Sequence, residues 1–391
     1  MKEFDLKWVQ QEPTRQFIIL ATGTLITMAG GVVTPVLPQV ITALEFDRAL
    51  ATHLVSIHAL TLALFCPILG VVADKFGPVR VLVPSLVLYG IFGTAGAFIS
   101  QFWLLLASRG LLGATAGGIA AGSLGLLGKL YDQETRAQAI AYATAALTVT
   151  GIIFPLLGGS VASIHWRYAF ALYAIALPLA LISRWAFANI KGNSHQPSQG
   201  LSSELRTVLA TPSVVELLLF VALTAAIMYS VVIYAPLYLQ ETLGLGSLEN
   251  GILLAIRALG ASLISALGSK QIAKKWSPQG AIALGFGLMA LSLFTIPWLQ
   301  QFPLLLFSAL GFGMGFGLVL PNLYNSLSNF APVNIRSSVL AIGIGTSFLG
   351  QFLSPVLLSP VLQLGGLTGV FNTAATLALL GGIFLGRRMP R

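Results

Sequence analysis

The chain has 391 residues, of which 56% are hydrophobic and only 8% charged, with 21 Lys and Arg against 12 Asp and Glu for a net charge of +9. Soluble domains carry roughly 25% charged residues, so a globule facing water on all sides is excluded. The single cysteine, Cys66, excludes an internal disulfide and a cysteine-based metal cluster, and the four histidines (His53, His58, His165, His195) show no metal-ligand spacing.

A helix that crosses a bilayer needs about 20 mostly apolar residues. Such runs predict twelve spans, at 16–41, 51–73, 80–100, 102–128, 137–162, 167–190, 212–239, 249–270, 279–299, 303–328, 336–358 and 366–386. The first is too long for the core of a signal peptide. The expected fold is an all-α membrane protein of twelve transmembrane helices. Residues 191–211 are polar and contain Ser, Gly and Pro, as a linker between two six-span halves, 1–190 and 212–391, would be.

The basic residues orient the chain. With both termini inside, 17 of the 21 Lys and Arg fall on inner segments, Arg48 and Arg167 fall outside, and Arg109 and Arg257 lie within spans. That asymmetry is the positive-inside pattern, and it accounts for the net charge without a nucleic-acid partner. The six tryptophans lie near span ends, where an aromatic belt is expected.

The chain repeats itself at an offset of 200 residues: Gln101-Phe102 with Leu104-Leu105-Leu106 and Ser108 returns as Gln301-Phe302 with Leu304-Leu305-Leu306 and Ser308. Gly113, Gly117, Arg136 and Pro155 have counterparts in Gly313, Gly317, Arg336 and Pro355. Two six-span halves repeated in parallel imply a pathway between them.

The segment between spans 2 and 3 reads Gly70-Val71-Val72-Ala73-Asp74-Lys75-Phe76-Gly77-Pro78-Val79-Arg80. It resembles the signature loop of the major facilitator superfamily, with Pro78 and Val79 departing from the commonest form. Arg109 followed by Gly113 in span 4, Glu134-Thr135-Arg136 at the inner start of span 5, and Trp166-Arg167-Tyr168-Ala169-Phe170 before span 6 resemble further motifs of the same family. Pro155, Gly158 and Gly159 in span 5 are similar to the motif of its drug:proton antiporter branch, although Phe154 stands where that motif has Gly.

The resemblance implies a secondary transporter that works by alternating access, with proton-coupled efflux of a small organic solute as the expected activity. Gly70, Asp74, Lys75, Gly77, Arg80, Glu134, Arg136 and Arg336 would form an inner gate. Arg109 and His58 would serve coupling, and Pro155, Gly158 and Gly159 would kink and pack span 5. Polar residues left inside the spans suggest substrate contacts at Thr27, Tyr234, Arg257, Asn322, Asn325 and Gln351, since embedded polar and ionisable groups mark pathways. No acid lies at the centre of a span. Two embedded arginines without such an acid favour anionic or neutral solutes.

The alternative reading is an organic-anion or metabolite carrier, including a uniporter. An enzyme is not expected. The stretch from Gly122 to Lys129 has five residues between its glycines and Leu130 in place of Ser or Thr, so it is no phosphate loop. No Ser/His/Asp set points to catalysis. The expected partners are a small solute, protons and the lipid bilayer of an inner, cytoplasmic-type membrane, with no cofactor, no metal and a monomeric state.

Overall fold

The computed structural model describes residues 12–131, 133–190, 201–332 and 335–387. Among them every regular element is helical. Eleven helices are long and apolar enough to cross a bilayer: Glu12–Leu44, Arg48–Phe76, Pro78–Ala95, Phe102–Leu130, Tyr142–Ala162, Trp166–Ala186, Pro212–Leu243, Ser247–Leu267, Ser269–Trp298, Phe302–Asn329 and Ser338–Gly386. The last has 49 residues. At ~1.5 Å per residue it would be more than twice as long as the ~30 Å hydrocarbon core is thick. It is broken at Gly366 (φ 61°, ψ −164°), a conformation essentially confined to glycine. It therefore holds spans 11 and 12, and the twelve expected spans are present.

The breaks within spans follow the sequence. Span 1 loosens after Gly31, where Thr34-Pro35-Val36 forms a 3-10 turn, because Pro35 has no N–H to donate. A short helix, Leu201–Leu209, lies inside the segment read as linker. Leu205, Val208 and Leu209 fall on one face of it and pack on a buried cluster of Val214, Leu327, Ala331, Ile335 and Val339. The i, i+3, i+4 spacing of those three residues is the cause.

The chain divides into two compact units, Met1–Val33 with Ile57–Gln196, and Thr34–Ser56 with Pro197–Arg391. The hairpin 34–56, made of the ends of spans 1 and 2 that meet at their connection, belongs to the second unit. Beside buried Val36, Leu37 and Val40, polar ties join it to that unit. Arg48 pairs with Glu241 at 3.0 Å. Asn250 donates to the Pro35 carbonyl (3.1 Å), Gln39 to Ser247 Oγ (3.3 Å) and Ser359 Oγ to the Ala49 carbonyl (3.5 Å).

The 200-residue repeat is visible in the backbone. Gly77 has φ 101° and caps the helix that starts at Pro78. Its counterpart Ser277, before Pro278, has φ 72° and ψ 159°. A side chain in that region costs on the order of 1–3 kcal/mol. Ser277 offsets part of this by accepting a hydrogen bond from the Gly280 N–H at 3.2 Å, a cap worth ~1 kcal/mol. Ser277→Gly should therefore raise the thermal unfolding midpoint in detergent, by the equivalent of about 1 kcal/mol. A lowered midpoint would show that the cap outweighs the strain.

Candidate functional site

In the first unit the site centres on Arg109. Its side chain is 1% exposed, held in span 4 beside the last turn of span 3. The last carbonyls of a helix lack intrahelical partners. Arg109 Nη2 donates to two carbonyls of that turn, Phe92 O at 3.0 Å and Gly93 O at 2.9 Å, the latter also accepting from the Gly96 N–H, and Ser108 Oγ donates to Phe92 O at 2.8 Å. The guanidinium also stands over the rings of Phe170 (5.0 Å) and Tyr173 (5.1 Å). Tyr173 donates in turn to the Met28 and Ala29 carbonyls, and Tyr89 to the Leu25 carbonyl, near the end of the first helix of span 1. One cation thus joins spans 3, 4 and 6, and through the tyrosines span 1. Arg109 Nε and Nη1 are buried without a hydrogen-bond partner among the described residues.

The second unit repeats half of this arrangement. Ser308 Oγ donates to the Ser292 carbonyl at 3.0 Å, the same bond 200 residues on. Ala309 stands at the position of Arg109, and a small apolar cavity lined by Ala309, Ser308, Phe312 and Ile296 lies there.

His58 and Arg257 prove to be counterparts. A Cβ on Gly113 would lie 2.2 Å from the His58 carbonyl oxygen, and one on Gly313 would lie 1.9 Å from that of Arg257. Each half therefore crosses its second and fourth spans at a glycine, with a basic residue on the facing turn. His58 is buried and Arg257 half-buried. The offset here is 199, so a search at 200 passes over it.

Span 5 crosses span 1 in the first unit. A Cβ on Gly158 would lie 2.3 Å from the Val32 carbonyl oxygen, and one on Gly31 would lie 3.3 Å from Phe154 Cβ and 3.6 Å from Pro155 Cδ. Phe154 is accommodated because span 1 presents Gly31 opposite it. Pro155, Gly158 and Gly159 are all buried.

In the signature loop, Asp74, Lys75 and Arg80 are exposed. Asp74 has no hydrogen bond or ion pair among the described residues, and Lys75 stacks on Phe76 at 5.4 Å. A Cβ on Gly70 would meet nothing within 4 Å. Arg336 is exposed at the start of span 11. The side chains of Glu134 and Arg136 lie outside the described residues.

The residues read as substrate contacts are dispersed. Thr27 is hydrogen-bonded to Thr150 at 3.1 Å. Tyr234 is fully buried beside Thr52 and Ser359, its hydroxyl without a well-formed hydrogen bond. Asn322 is buried and donates to Ser269 Oγ (2.9 Å) and Leu318 O (2.8 Å). Asn325 is exposed and Gln351 half-buried.

A family model described as Major Facilitator Superfamily matches residues 19–355. The chain belongs to the major facilitator superfamily. It is a multi-pass membrane transporter of small molecules rather than an enzyme. This transporter is 24% identical to the bacillibactin exporter of Bacillus subtilis, over 79% of its own length and 80% of the relative's. It is 26% identical to the 3-(3-hydroxy-phenyl)propionate transporter of Escherichia coli, over 82% and 80% of the two chains. Among solved structures, the fold is similar to that of a bacterial homologue of the human lysosomal transporter Spinster, with a TM-score of 0.75, 17% identity and 96% of each chain covered.

Proposed function

We propose that this transporter exports a small organic solute in exchange for protons, as a monomer in an inner, cytoplasmic-type membrane with both termini on the cytoplasmic side. The crossing of spans 5 and 1 carries the reading. The Pro155, Gly158 and Gly159 set is similar to the antiporter-branch motif, and the Phe154 departure is matched by Gly31 across the contact. The likeness to a bacillibactin exporter supports efflux.

In this reading the halves 1–190 and 212–391, joined by 191–211, alternate access. Gly70, Asp74, Lys75, Gly77, Arg80, Glu134, Arg136 and Arg336 form the inner gate. The exposed Asp74, without a partner among the described residues, suits a group that gains its partner in another state. The hairpin 34–56, tied down by Arg48, Gln39 and the Pro35 and Ala49 carbonyls, serves as an outer latch. The exposed Arg48–Glu241 pair is worth about 0–1 kcal/mol, weak enough to open in turnover. His58 and Arg109 serve coupling, Arg109 through its charge and the Nε and Nη1 donors that lack a hydrogen-bond partner among the described residues. Thr27, Tyr234, Arg257, Asn322, Asn325 and Gln351 meet the solute in one state or another.

Reconstitution into proteoliposomes tests this. An imposed pH gradient should drive solute against its own gradient, and a protonophore should abolish that accumulation. Equilibration without accumulation would instead establish the uniporter. Asp74→Asn should keep solute binding while flux falls roughly tenfold, the effect of ~1.4 kcal/mol on the barrier. Unchanged flux would remove Asp74 from the gate.

A further inference from the structure

Arg257 is the eleventh of the 21 residues of span 8, so its Cα stands near mid-membrane. Its Nε is buried without a partner, and no hydrogen bond or ion pair joins the guanidinium to a described residue. Tyr229 of span 7 is its electrostatic neighbour. The carboxylates of spans 7 and 8 are committed or remote. Glu241 pairs with Arg48, Glu249 accepts from the Gly246 N–H at 3.0 Å, and Glu216 lies in the second turn of span 7, about 20 Å along the helix from Tyr229 at ~1.5 Å per residue.

A mid-span arginine is costly to insert. Arg109 recovers such a cost from two carbonyls and two aromatic rings. Arg257 has no equivalent set. We propose that Arg257, with the Tyr229 phenol beside it, is the carboxylate-binding subsite of the second unit, and that the transported solute is an organic monoanion. The guanidinium fork matches a carboxylate bidentately. A single cation with one neutral neighbour balances one negative charge, whereas a phosphate dianion would require a second cation. This rests on the transporter reading above and narrows its solute class.

Thermal-shift and equilibrium binding on purified protein, with three probes of one skeleton, tests the subsite: 3-phenylpropionate, 3-phenylpropionamide and 3-phenylpropylammonium. The carboxylate should stabilise the wild type at millimolar concentration and the other two should not. Arg257→Gln should weaken carboxylate binding at least tenfold, and Arg257→Lys should retain part of it. Equal binding of the amide or the ammonium, undiminished binding to Arg257→Gln, or no stabilisation by the carboxylate would overturn the proposal. Comparison of the three probes on the wild type decides the matter even if the variants fail to fold. Carboxylate binding that depends on Arg257 without pH-driven flux would overturn the proton-exchange reading and leave the subsite standing.

Discussion

Gly313→Ala is expected to destabilise the second half strongly, because its new methyl would sit 1.9 Å from the Arg257 carbonyl oxygen. Backbone cannot yield as a flexible side chain can, so spans 8 and 10 must separate by more than an ångström. Overpacking of a dense interior costs about 1–3 kcal/mol, and here the contact is with main chain on both sides, which puts the cost at the upper end. Gly113→Ala should do the same to the first half, since its methyl would meet the His58 carbonyl at 2.2 Å. Gly287→Ala, with nothing within 4 Å of the added methyl, is the control and should be neutral. Unfolding midpoints in detergent and the yield of monodisperse protein measure all three. Equal behaviour of Gly313→Ala and Gly287→Ala would refute the crossing geometry.

Arg109→Lys should be as damaging as Arg109→Leu, although it keeps the charge. The guanidinium spans two carbonyls and lies over two rings at once. Hydrogen bonds to a charged group are worth about 1.5–3 kcal/mol, and desolvated cation–π contacts about 2 kcal/mol. These gains exceed the ~2.5–3.5 kcal/mol insertion cost. A lysine retains that cost and cannot make the planar contacts. Leucine loses the contacts but also the cost. The expected result is a loss of several degrees in unfolding midpoint for both variants, with lysine no better than leucine. Rescue by lysine would mean that charge alone matters at this position.

The sequence carried most of the fold because lipid imposes a simple rule: long apolar runs with few charges must be spans. All twelve are legible, and the Pro35 and Pro297 turns explain why two helices end in 3-10 geometry. The 200-residue offset, read from matched Gln, Arg, Pro and Gly, returns in the Ser108 and Ser308 bonds and in the left-handed turns at Gly77 and Ser277.

The site was less legible, because it depends on helix rotation rather than on hydropathy. A run such as Arg109 to Gly118 does not reveal that the arginine faces the end of span 3 instead of open space. Phe170 was visible only as part of the Trp166 to Phe170 motif, with no sign that it lies under the guanidinium. The polar reading of 191–211 hid the amphipathic spacing of Leu205, Val208 and Leu209. The grouping of 34–56 with the second unit rests in part on hydrogen bonds to the Pro35 and Ala49 carbonyls, which leave no mark in side-chain identity.

Between spans 11 and 12 the chain turns at Gly366 alone, next to Leu364, which is 92% exposed. With no connecting residues to stretch or refold, the facing ends of these two helices cannot draw apart, so a displacement of one at the elbow carries the other with it. Lengthening that elbow by a few flexible residues would cut the linkage while leaving each helix intact.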